Sequence, residues 1–143
     1  MKHIDIYVLS DVKGVHEKRG RVAYMLEYRG RSITDLVSFE EHNLNGAALE
    51  GLLAAMRRVS SGDVEIAAYT DSRYVSSQIN TGNIYRWHSE GYRTKEGVPI
   101  RYKELWDPIV SEVKEKCEKR IICRSPVPGR YREALEMRLL SRQ

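Results

Sequence analysis

The 143-residue sequence predicts an α/β domain on a mixed five-stranded sheet, an antiparallel meander extended by parallel strands through helical crossovers. Three observations carry this. The first forty residues hold three strand-like segments joined by short turns. The remainder alternates helical and strand-like periodicity. The run from Val64 to Thr70 (VEIAAYT) is short and apolar, the pattern of a central strand buried on both faces.

Each element has a local cause. In residues 3–9, Ile4, Ile6 and Val8 alternate with other residues, which gives a half-buried strand. Residues 21–29 and 32–39 read as two more strands, and Arg29-Gly30-Arg31 makes a tight hairpin turn between them. Asn45 stands where a helix N-cap belongs, and Leu49, Leu52, Leu53 and Met56 follow at helical spacing. Ser60-Ser61-Gly62-Asp63 ends that helix. Asp71-Ser72 opens the next one, with Val75 and Ile79 facing inward. Residues 82–102 read as irregular, rich in glycine and aromatics. A helix over about 103–118, a strand over 119–124, a loop at Pro126, Pro128 and Gly129, and a final helix from about 131 complete the chain.

No repeat or linker divides residues 1–143, so one domain is expected. No apolar run approaches the roughly 20 residues of a membrane helix. The N-terminus lacks the apolar block of a signal peptide, so the expected compartment is the cytoplasm. Cys117 and Cys123 are too few for a disulfide framework or a tetrahedral metal site and read as buried thiols. Net charge is +4 and the pI near 9.1. The excess gathers late: from Lys114 to Gln143 there are nine Lys/Arg against four Glu. Such a balance permits a polyanionic partner without requiring one.

Several segments resemble a known family. Tyr69-Thr70-Asp71-Ser72-Arg73-Tyr74-Val75 is similar to the strand-to-helix junction of type 1 ribonucleases H. Ile84-Tyr85-Arg86-Trp87, Gly91-Tyr92-Arg93-Thr94, Pro99-Ile100 and Glu104-Leu105-Trp106 recur in the order and spacing of the family's basic protrusion. Tyr28-Arg29-Gly30-Arg31 resembles its first hairpin, and Asn45 with the Leu/Ala helix resembles its first helix. The similarity spans about residues 3–125. It implies a ribonuclease H-like fold with a protrusion at about 82–102. It also implies a metal-dependent endoribonuclease acting on the RNA strand of RNA/DNA hybrids, with no protein partner evident and a monomer expected.

That chemistry needs carboxylates that bring two Mg²⁺ (or Mn²⁺) ions to within roughly 4 Å of each other. The family supplies four, on the first strand, the first helix, the end of the fourth strand and the last helix. Asp71 matches the fourth-strand ligand, and capping the following helix is its other reading. Direct register puts Leu9 in the first-strand slot; a two-residue slip keeps strand parity and offers Asp11, which otherwise reads as a plain loop aspartate. On the first helix the apolar pattern puts Ala48 where a glutamate belongs. Glu50 sits about 200° around the helix from it and is expected to face solvent. Supplying the missing ligand by Ala48→Glu would then restore cleavage. On the last helix Val127-Pro128 anchors a register that selects Glu136, with Glu133 one turn earlier as the alternative. The loop from Arg124 to Arg130 lacks the histidine many members carry, and His16, His42 and His88 read as surface residues.

For hybrid binding the resemblance points to Asn45, Arg73, Trp87, Tyr92, Arg93, Lys95, Arg101 and Trp106, together with Arg86 and Lys103. The cations would neutralise phosphates and the rings would offer flat faces. Asn45 would contact a 2′-hydroxyl or simply cap its helix. Packing between protrusion and body is the other reading of the two tryptophans. A non-catalytic nucleic-acid-binding module on the same fold is the alternative function.

Overall fold

The meander forms from β1 (Lys2–Ser10), β2 (Lys18–Tyr28) and β3 (Arg31–His42), paired antiparallel. The structure, a computed structural model, describes residues 1–60 and 62–141. Ser61 of the expected helix-ending turn and Arg142 and Gln143 of the basic tract lie outside them. Helix α1 (Leu44–Arg57) crosses to β4 (Val64–Thr70), which pairs parallel with β1. Then come α2 (Arg73–Asn80), α3 (Asn83–Ser89), α4 (Lys103–Cys117), β5 (Ile121–Arg124) and α5 (Gly129–Leu139). The five-stranded sheet has the order β3-β2-β1-β4-β5, with β4 and β5 parallel. The mixed sheet and its meander are as the periodicity predicts.

Strand parity sorts the core into two layers. Ile6, Val8, Ile66 and Ala68 pack with Leu49, Leu52, Met56, Ile109 and Val113 of the α1/α4 layer. Tyr7, Leu9, Ala23 and Met25 pack on the other face with Leu135 and Leu139 of α5. Helix α1 approaches the sheet closely at Gly51. A Cβ there would stand 2.6 Å from Val8 Cγ1 and 2.7 Å from Val22 Cγ2. Both valines are buried, 2% and 0% exposed, and cannot withdraw. Gly51→Ala should therefore destabilise the protein by about 1–3 kcal/mol in urea unfolding, because overpacking outweighs the ~1 kcal/mol gain in helix propensity.

Four expectations are corrected. The α1 N-cap is Asn43, whose side chain accepts from the Gly46 amide, so Asn45 lies inside the helix. The segment read as irregular contains α3, whose Ile84 and Trp87 are buried one turn apart behind Gly82 in a left-handed conformation. β5 starts at Ile121 because Glu118 and Lys119 both have positive φ (48° and 70°), which turns the chain out of α4 before pairing begins. α5 starts at Gly129, directly after Pro128. Both cysteines are buried and free, as expected.

Candidate active site

The neighbouring parallel strands β1 and β4 bring Tyr7 opposite Tyr69 and Val8 opposite Thr70. The Tyr7 and Tyr69 rings stack at 4.8 Å on the α5 face. One more residue along that face the register places Leu9 beside Asp71. Leu9 is 1% exposed and packs with Val127, Leu135 and Leu139. The position that direct register gives to a first-strand carboxylate thus holds an aliphatic side chain buried beneath α5.

Asp71 caps nothing, because the α2 N-cap is Ser72, whose side chain accepts from the Val75 amide. Its carboxylate instead receives Arg132 of α5 in a bidentate pair: Nη1 donates to Oδ2 at 2.9 Å and Nη2 donates to Oδ1. The Val127 amide donates to Oδ1 as well, at 3.1 Å. Burial by itself pushes the Asp71 carboxyl up. The Arg132 fork, the Val127 amide and the charges of Arg132 and Lys13 together outweigh burial and hold it below its ordinary value.

The other expected ligands do not join Asp71. The Asp11 amide donates to the Arg21 carbonyl, and Asp11 Oδ1 accepts from the Arg21 amide at 2.9 Å. Since β2 and β4 flank β1 on opposite sides, Asp11 turns to the far neighbour. Ala48 lies one turn after Asn45, which accepts from Ser72, and one turn before Gly51, which abuts Val8. It lies between those two contacts along the helix, is buried, and brings only a methyl group. Glu50 does not face open solvent: it is half-buried and pairs with His42 Nε2 at 2.9 Å. Glu133 and Glu136 are both exposed on α5, and from that helix it is Arg132 that reaches the site. Among the described residues no three His, Cys, Asp or Glu side chains form a group able to hold a metal ion. The two-Mg²⁺ site implied by the resemblance does not fit the side chains present.

Arg132 escaped the sequence reading. Its one signal was position: four residues after Pro128, on the first turn of α5. Its Asp71 pair is mostly buried, with side chains 28% and 23% exposed. Arg132→Ala should cost about 2 kcal/mol in chemical denaturation, since it strands a half-buried carboxylate. Arg132→Lys should recover only part, because one ammonium cannot fork. A depressed folded-state pKa stabilises above the unfolded value and is lost as pH falls through the folded one. The stability difference between wild type and Arg132→Ala should therefore be full at neutral pH and vanish on acidification below about pH 4.

The expected binding residues divide by burial. Trp87, Tyr92 and Trp106 are 9%, 4% and 0% exposed. The two tryptophans meet edge to face at 6.0 Å, and Trp106 Nε1 donates to the Tyr74 hydroxyl. These rings are core, and stacking on a ligand is excluded for them by packing. Arg73, Arg93, Lys95 and Arg101 are exposed, as are Arg86 and Lys103. Arg93 Nη1 donates to the Gly97 carbonyl inside a loop closed by the Arg93–Pro99 bridge, and Arg101 lies 4.9 Å over the Tyr102 ring. Asn45 Oδ1 accepts from Ser72 Oγ at 2.7 Å, which joins α1 to the start of α2.

Residues 6–124 match the RNase H family. A ribonuclease H of Thermus thermophilus is 34% identical over 64 residues, 45% of this chain and 36% of that protein. The chain thus aligns with little more than a third of that relative's length. A ribonuclease H of Novosphingobium aromaticivorans is 28% identical over 116 residues, 80% of this chain and 78% of the relative. Among solved structures, LC11-RNase H1 in complex with RNA/DNA hybrid superposes with a TM-score of 0.62 at 15% identity, covering 94% of this chain and 91% of that one.

Proposed function

The chain belongs to the ribonuclease H family, and from that premise we propose that it engages RNA/DNA hybrids as a ribonuclease H whose metal-dependent hydrolysis is impaired. The observation that carries the reading is the Arg132–Asp71 pair. The carboxylate best matched to a metal ligand already holds an internal cation in bidentate geometry. With Leu9 and Ala48 at two further ligand positions, the oxygen donors that hold Mg²⁺ or Mn²⁺ are missing. Asp11 and Glu136 stay outside the site in this reading.

Binding is supported by the exposed cations. Arg73 opens α2, while Arg93, Lys95 and Arg101 lie exposed on or beside residues 82–102, which this reading takes as the counterpart of the family's protrusion. Contacts of this kind go to phosphates and supply affinity without sequence reading. In this reading Asn45, whose Oδ1 accepts from Ser72 Oγ, meets a 2′-hydroxyl of the RNA strand. No described helix is long and apolar enough to cross a membrane. The reading takes the domain as a cytoplasmic monomer.

The test pairs binding with cleavage on one labelled hybrid. Affinity should fall steeply between about 50 and 200 mM salt, and Arg93→Ala with Lys95→Ala and Arg101→Ala should lower the log–log slope by about 2–3. Cleavage in Mg²⁺ or Mn²⁺ should stay at background. Turnover in the ordinary enzymatic range of roughly 1 s⁻¹ or more would overturn the impairment, and a salt slope unchanged in the folded triple variant would overturn the binding face.

A further inference from the structure

At the end of the sheet remote from Asp71, the α1 C-terminus and the meander border an open cavity of about 240 Å³. Ile4, Leu26 and Ile33, from the three strands of the meander, form its aliphatic floor. Ile33 is 45% exposed, although it is a branched aliphatic residue on an edge strand. Lys2, Arg31 and Arg58 line the same cavity. Arg58 shares its charge with Asp35 at 3.3 Å, whereas among the described residues neither Lys2 nor Arg31 forms an ion pair. Ile4 precedes Ser10 by six strand residues, so the cavity lies about 20 Å from the strand ends at Asp71.

We propose that this cavity binds an amphipathic carboxylate: an aliphatic or aromatic group of about ten non-hydrogen atoms bearing one negative charge. Cations alone would accept any anion, a phosphodiester included. The floor restricts the choice, because Ile4, Leu26 and Ile33 offer nothing to the hydrogen-bonding edge of a base. A base laid on those three side chains would lose its water partners there, with only Tyr28, Ser32 and Ser60 elsewhere in the lining to replace them, whereas an aliphatic chain needs none. An apolar tail loses nothing on that floor and removes Ile33 from water. Its carboxylate then sits among Lys2, Arg31 and Arg58, two of them without another anion. A small cavity with an apolar lining and a few convergent charges has the composition of a ligand site. The site is independent of the hybrid-binding reading and shares no residue with it.

Octanoate, octanol and acetate, titrated separately into methyl-labelled protein, test this through the shifts of Ile4, Leu26 and Ile33. Octanoate should bind at least tenfold more tightly than either octanol or acetate. Lys2→Ala with Arg31→Ala should weaken octanoate tenfold or more and leave octanol unchanged. Ile33→Asp, at a position 45% exposed, should abolish octanoate binding while the protein stays folded. Octanol or acetate matching octanoate would overturn the proposal, as would shifts confined to methyls elsewhere. Concentration-dependent shifts of the same methyls without ligand would mean that a second copy of the chain covers the floor, and would overturn it too.

Discussion

Ala48→Glu alone is expected to leave hybrid cleavage at background, whereas Leu9→Asp, Ala48→Glu and Arg132→Ala together should raise Mg²⁺-dependent cleavage on the order of 10³-fold. The single change puts a carboxylate at a position 3% exposed, inside an apolar cluster and with no partner supplied. It should cost several kcal/mol of stability or force the new acid to stay protonated. Asp71 would still be held by Arg132. The triple change releases Asp71 and places two further carboxylates, one near the end of β1 and one in the second turn of α1. A preorganised metal clamp supplies several kcal/mol of transition-state stabilisation, and each 1.36 kcal/mol is tenfold in rate. Melting curves with and without Mn²⁺ come first: the triple variant should gain stability from the ion by mass action, and wild type should not. A triple variant that is folded and hybrid-bound yet cuts nothing would sink the idea. So would substantial cleavage by Ala48→Glu alone, since it would make the Arg132 pair irrelevant to activity.

Trp106→Ala should lower stability by about 3–5 kcal/mol and leave hybrid affinity of the folded fraction unchanged. Trp106 is wholly buried, touches Trp87 and Tyr74, and binds the Tyr74 hydroxyl through its indole N–H. Its removal leaves a ring-sized void between α2, α3 and α4 and takes away the Tyr74 partner. A ring used to stack a base would behave otherwise, with about 1–3 kcal/mol of binding lost and stability little changed. Urea unfolding and fluorescence anisotropy on the same samples separate the two. A stable Trp106→Ala protein with weakened hybrid binding would return the tryptophan to the interface.

The strands, α1 and α2 were legible in the sequence because their signal is local. Alternation at Ile4, Ile6 and Val8, and helical spacing at Leu49, Leu52, Leu53 and Met56, report which face of an element is buried. α3 was missed because two short turns leave too few positions for a period to show. The N-cap was misplaced by two residues, between Asn43 and Asn45, for a different reason. Asn43 Oδ1 receives both the Gly46 amide and the Tyr102 hydroxyl, and Tyr102 lies 59 residues away. Local propensity rates the two asparagines alike.

The site divides along the same line. Position along a strand or helix is a local property, so the resemblance could give Asp71 the end of β4 and Ala48 the first helix, while on the first strand it left direct register at Leu9 and favoured Asp11 by a two-residue slip. What those positions hold depends on what docks against them. The docking of α5 over β1 delivers Arg132 to Asp71 across 61 residues of chain and seals Leu9 beneath Leu135 and Leu139. The α3–α4 packing turns Trp87, Tyr92 and Trp106 inward and leaves their neighbouring cations outside. The β1–β2 ladder takes Asp11 away from the site. The sequence thus determined the sheet, the first two helices and the place of Asp71 after β4, but not where Asp11 and Glu136 would lie. Only the tertiary structure decided that Asp71 is already neutralised, because an ion pair is set by the approach of two elements and leaves no period in the chain.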